Sequence, residues 1–159
     1  MVKRLIFIFA FTSTTFSYGQ SAASDSVMQV VLDALTLNEH QINGNVDSLL
    51  QKGSWEALAY WDMSDPKTVE SLQEAVGDRY AFFGTKFRIQ FIDPNNPRQI
   101  GLTVEGYFQR KGNFVELYKT ETGPRQKLEI WYIDQRYMVI ESDGLRIFLT
   151  HENSYYLTD

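Results

Sequence analysis

The stretch QKGSWEALAYWD, Gln51 to Asp62, decides how this chain is read. A Gly-x-Trp triplet, Gly53-Ser54-Trp55, stands where a short polar run gives way to an apolar one. From there the residues alternate, with Trp55, Ala57, Ala59 and Trp61 on one face and Glu56, Leu58 and Tyr60 on the other. A period of two is the mark of a half-buried strand. A tryptophan at strand entry buries a large area, and its indole N–H can reach a nearby carbonyl.

Downstream the same period recurs. TKFRIQFID (Thr85–Asp93), IGLTVEGYFQR (Ile100–Arg110), NFVELYK, KLEIWYID, RYMVIES and LRIFLTHE are short alternating runs separated by turn signals. Asp143-Gly144 between the last two is a hairpin dipeptide. Gly106, inside a strand, marks a bend or a close backbone approach. The DPNNPRQ and TETGPRQ stretches are loops. Seven or eight strands in simple order predict a mostly β domain, an antiparallel up-and-down barrel or a strongly curled sheet.

Two helices flank the first strand. SDSVMQVVLDALTL (Ser24–Leu37) carries apolar residues at helical spacing and predicts a short N-terminal helix. SDPKTVESLQEAVG (Ser64–Gly77) predicts a second, between the first strands, with Asp65 as N-cap, Pro66 in the first turn and Gly77 as the stop. Val46, Leu49 and Leu50 suggest one helical turn ahead of Gly53.

The first residues read as an export signal. Lys3 and Arg4 precede the apolar run Leu5–Phe11, and small polar residues follow up to a cleavage site before Gln20, with a second candidate site after Ala23. The run is too short to span a bilayer, which takes about 20 residues. The expected division is residues 1–19 as signal peptide, 20–48 as N-terminal helix and linker, and 49–159 as the barrel domain. The chain has no cysteine, which excludes disulfides and a lipidated lipobox. The expected location is secreted or periplasmic, with no membrane anchor in the mature chain. Net charge is −5, and Lys3 and Arg4 would leave with the signal. That balance argues against nucleic acid as a partner.

Four motifs in order carry a family likeness. Gly53-Ser54-Trp55 resembles the Gly-x-Trp signature of lipocalins. YAFFGTKFRIQF (Tyr80–Phe91), EGYFQRKGNFVELY (Glu105–Tyr118) and the closing meander Ile130–Glu152 resemble successive hairpins of bacterial lipocalin-like, calycin-type secreted domains. The likeness covers roughly Leu49 to Asn153. It implies a barrel and a binding cavity, with structural roles for Gly53, which lets the preceding turn lie close beneath the barrel, and Trp55, which plugs its closed end, and it implies no particular activity. One departure stands out. Lipocalins often close with an arginine over the first-strand tryptophan, whereas this chain has Thr150-His151-Glu152 there, with Arg146 the nearest arginine.

Aromatic residues make up 14% of the chain and fall mostly in the strands, so they are the candidates for a lining. Trp61, Phe87, Phe91, Tyr107, Trp131 and Tyr137 are the candidate contacts for a small apolar or amphipathic ligand. The alternative is a filled barrel acting as a protein-protein interaction module in the bacterial envelope, through the N-terminal helix or the 93–100 and 120–127 loops. An enzyme on the same scaffold is a third reading with little to carry it. There is no Gly-x-Ser-x-Gly or His-Glu-x-x-His, and Glu105 and Glu116 are expected to be solvent-facing ladder residues. His40 and His151 stand far apart and are expected to be solvated. No catalytic residue, metal ligand or cofactor is assigned.

Overall fold

The structure, a computed structural model, describes residues 22–74 and 77–152, with α1 side chains from Met28 onward. The expected signal peptide and residues 153–159 lie outside the described residues. In chain order the elements are α1 (Ala22–Leu35), β1 (Gln41–Ile42), α2 (Val46–Leu50), β2 (Ser54–Asp62), a 3-10 turn (Val69–Ser71), β3 (Gln73–Glu74), β4 (Arg79–Phe83), β5 (Lys86–Asp93), β6 (Asn96–Lys111), β7 (Phe114–Tyr118), β8 (Arg125–Ile133), β9 (Tyr137–Ser142) and β10 (Leu145–His151).

Eight of the strands form a ring of antiparallel pairs in the order β2-β4-β5-β6-β7-β8-β9-β10, closed by β10 on β2. Apart from the short β3, neighbours in the ring are neighbours in sequence, which is the up-and-down barrel of the lipocalin-like architecture. The β9–β10 hairpin turns through Asp143 (φ 52°) and Gly144 (φ 85°), as its Asp-Gly pair predicts. β1 adds a short parallel pairing to β8.

The closed end is built on Trp55, which is wholly buried. Its indole Nε1 donates to Leu50 O at 3.4 Å. α2 begins on Asn45, whose side chain accepts from Ser48 N, and buries Val46, Leu49 and Leu50 beneath the indole. His151, also buried, meets Trp55 edge-on at 5.3 Å between ring centroids. His151 thus occupies the place where the likeness called for an arginine, and it is not solvated as expected. Gly53 is flush with this pair. A Cβ there would lie 2.7 Å from Glu152 Oε1 and 2.9 Å from His151 Nε2.

The buried residues form two clusters, separated by the wall. One is the barrel interior, with Trp55, Phe82, Phe87, Ile89, Phe108, Leu117, Ile130 and Leu149 among its members. The other lies on the outer flank, where Val31 and Leu35 of α1 pack on Ala59, Trp61, Val139 and Phe148. Two bulges produce this split. Phe148 pairs with Ala59 but Leu149 with Ala57, so Leu58 is an extra residue in β2. Ile130 pairs with Ile140 but Tyr132 with Val139, so Trp131 is an extra residue in β8. Each extra residue reverses the in-out alternation. Trp55 and Ala57 therefore point inward, while Ala59 and Trp61 point outward under α1. The expectation of one common face for all four is corrected.

Arg146 fastens α1 to this flank. It is 4% exposed and donates to Leu35 O at 2.7 Å, Leu37 O at 2.6 Å and Glu141 Oε2 at 2.9 Å. Its guanidinium carbon lies 3.8 Å from the Trp131 ring centroid, and His40 stacks on the same ring at 4.5 Å. His40 also bonds Glu129 at 3.0 Å; unlike His151 it is exposed, as the sequence led one to expect.

The helix expected between the first strands is present, among the described residues, as the 3-10 turn Val69–Ser71, much shorter than the Ser64–Gly77 span expected. The Ser71 hydroxyl bonds Pro66 O and Thr68 O, a local competition that loosens a short helix. Gln73 and Glu74 then pair with Tyr60 and Ala59. β4 covers only Ser54–Glu56 of β2, so the upper half of β2 has an open edge. Pairing there outweighs an isolated helix of this length, which is marginal on its own.

Two predictions follow from the closed end. Trp55→Ala removes a fully buried indole and should cost about 3–5 kcal/mol in urea unfolding; a loss under 1 kcal/mol would show that the indole is not the plug. Burial and the nearby Lys52 charge push the His151 imidazole below its ordinary value, against an opposing pull from Glu152 and the Lys52 backbone. The unfolded chain binds a proton as pH falls through about 6.5, and the folded chain does so only at lower pH. Stability should therefore fall as pH drops from 7.5 to 5.5, and His151→Gln should flatten that slope. Equal slopes for the two proteins would remove His151 as the cause.

Candidate functional site

At the end opposite Trp55 the wall opens, because the strands differ in length. β5 and β6 run on as a long hairpin, whereas β7 stops at Tyr118. TETGPRQ explains the stop. Gly123 N bonds Thr120 O at 3.0 Å in a tight turn, and Pro124 has no N–H with which to continue a ladder. β6 pairs with β7 only over Tyr107–Lys111, so from Asn96 to Gly106 it has no strand on that side among the described residues.

The slit begins at Gly106. A Cβ there would lie 2.5 Å from Tyr118 O and 2.8 Å from the Phe87 ring. The position is glycine because β7 and an inward phenylalanine converge on it, which meets the close approach expected from the sequence. Above it are two clefts on opposite faces of the wall. The inner one, about 450 Å³, is lined by Phe87, Val104 and Leu117, with Lys119, Arg125 and Gln126 at its rim. The outer one, about 330 Å³, is lined by Phe83, Lys86, Arg88, Glu105, Tyr107 and Lys119. Both include Phe87 and Lys119.

The charges around the slit are mostly positive. Arg88 pairs with Glu105 at 2.5 Å. Glu116 takes Lys111 and Arg125, each at 3.1 Å, and its carboxyl is held below the usual range chiefly by the Lys111 bond. Glu105 and Glu116 thus form no carboxylate pair, and each is neutralised by a cation. Arg125 also lies 4.4 Å over the Tyr118 ring. Lys86 and Lys119 form no salt bridge among the described residues, and no metal-holding group of three His, Cys, Asp or Glu side chains occurs among them.

The six aromatic residues proposed as contacts do not converge. Phe87 and Phe91 belong to the interior, and Phe87 alone of the six lines the inner cleft. Trp61 is buried on the outer flank against α1. Trp131 is outside the barrel beside Arg146 and His40. Tyr107 is 43% exposed on the outer face and stacks on Tyr118 at 6.0 Å. Tyr137, 38% exposed, leans on Phe148 at 5.4 Å. Val104, Leu117 and Lys119 were missed. Their signal was the Gly-Pro loop that ends β7 early while the facing hairpin continues.

No family model matches the chain, and no curated protein matches it. Among solved structures, an uncharacterized protein from Bacteroides eggerthii DSM 20697 is similar at 10% identity and a TM-score of 0.49, over 62% of this chain and 98% of that one. A lipocalin-like protein from Bacteroides uniformis ATCC 8492 is similar at 11% identity and a TM-score of 0.47, over 62% and 94%. The fold of this chain is read from its own strand order, an eight-stranded up-and-down ring entered through Gly53-Ser54-Trp55.

Proposed function

We propose that this chain is an exported, non-catalytic binding protein for a small amphipathic molecule, taken up through the slit between β6 and β7. The observation that carries the reading is the inner cleft of about 450 Å³, whose floor is apolar and whose rim is cationic. Phe87, Val104 and Leu117 suit an alkyl chain, and Lys119 suits an anionic head such as a carboxylate. Export rests on the basic-then-apolar leader, and residues 20–159 would be the mature protein. The non-catalytic reading is supported by the ion-paired state of Glu105 and Glu116.

A second reading, a filled barrel acting through its surface in the bacterial envelope, has its own support. The interior between Trp55 and Leu117 is packed with buried side chains, including Phe82, Ile89, Phe108 and Val115.

Calorimetric titration with decanoate and with decanol separates the two. Decanoate should bind saturably. Lys119→Glu should weaken it about tenfold, equivalent to ~1.4 kcal/mol. Val104→Trp, which fills the cleft at a half-buried position, should abolish binding while the protein stays folded. No saturable heat with either amphiphile would leave the surface reading in its place.

A further inference from the structure

We propose that the open edge of β6, from Arg98 to Glu105, docks an extended peptide segment of another protein in which apolar and acidic residues alternate. This docking uses the β6 backbone and would compete with a small ligand for the inner cleft, whose residues both use.

The backbone supplies the template. Over these residues β6 pairs with β5 at Ile100 and continuously from Leu102 to Glu105, with register shifts at Gly101 and ahead of Ile100, and it pairs with no strand on the other side among the described residues. Such an edge presents a row of unpaired N–H and C=O groups that another strand can complete. Folded proteins usually guard long edges with charge. Here Gln99-Ile100-Gly101-Leu102-Thr103-Val104 carries none, and Ile100 and Leu102 are 49% and 50% exposed. Pro97 has no N–H, so a ladder would start at Arg98.

The two clefts supply the side-chain code. From Leu102 to Glu105, where β6 keeps a regular register with β5, a strand laid along it would send alternate side chains to opposite faces of the wall. On the inner face they meet Phe87, Val104, Leu117 and Pro124, which favour apolar groups. On the outer face they meet Lys86, Arg88 and Lys119 beside Tyr107, which favour carboxylates. Because Arg88 is already satisfied by Glu105, the charges without a salt bridge among the described residues are Lys86 and Lys119. A second copy of this edge fits poorly, since its own charges are Arg98 and Glu105, one of each sign.

The test uses a capped, dye-labelled octapeptide alternating valine with aspartate, followed by fluorescence anisotropy against the full chain, with amide exchange read in parallel. Saturable binding is expected, with slowed exchange at residues 98–105. Lys86→Glu, at an exposed outer position, should weaken the acidic peptide at least tenfold and favour a valine–lysine version. The proposal is overturned by absent binding, by equal affinity for a peptide of the same composition with its aspartates in one block, or by sedimentation showing that a dimer of this chain occupies the edge.

Discussion

The indole of Trp55 seals the barrel at the point where its first and last strands meet. β10 reaches β2 along a seam that ends in the His151–Trp55 pair, and the two rings are in edge contact there. The seam and the plug are therefore one feature. α2 can lie beneath only because Leu50 O takes the indole N–H and Gly53 leaves room for His151 and Glu152. Glu152 returns the contact by accepting from Ser54 N at 3.2 Å, which ties the end of the last strand to the start of the first. Burying a large ring with its single donor satisfied avoids the penalty of an unpaired polar group.

With one end sealed, strand length governs the other. A hairpin that outruns its neighbour leaves an edge, and an apolar cleft lies beside that edge. The slit joins two chemistries, an apolar floor inside and lysines at the rim, on a chain whose overall balance is acidic. A local positive patch on an acidic protein selects anions by position rather than by bulk charge.

The outer flank shows what a second core accomplishes. α1 has too few residues to be stable alone. It is held by Val31 and Leu35 on the wall and by Arg146, whose buried charge is matched by Glu141 and by carbonyls at and just beyond the end of the helix. A paired, fully hydrogen-bonded cation is the form in which a buried charge is tolerated. The sequence placed Arg146 inside a strand. It contained no sign that the side chain would cross to α1, over a hundred residues away in sequence.

Strand order, the Asp-Gly hairpin, the turn before Gly53 and the structural roles of Gly53, Trp55 and Gly106 were legible because each depends on near neighbours or on a period of two. The 64–77 helix was misjudged in length because its capping signals are local, whereas the open half of β2 that draws in Gln73 and Glu74 is not. The aromatic candidates scattered for a similar reason. A single extra residue, Leu58 in β2 or Trp131 in β8, turns every following side chain to the opposite face, and only the partner strand reveals it. The sequence by itself thus determined an antiparallel β chain with a tryptophan plug. The tertiary structure decided which face of each strand is the inside, and where the wall stays open, because both depend on register and relative length between strands far apart in the chain.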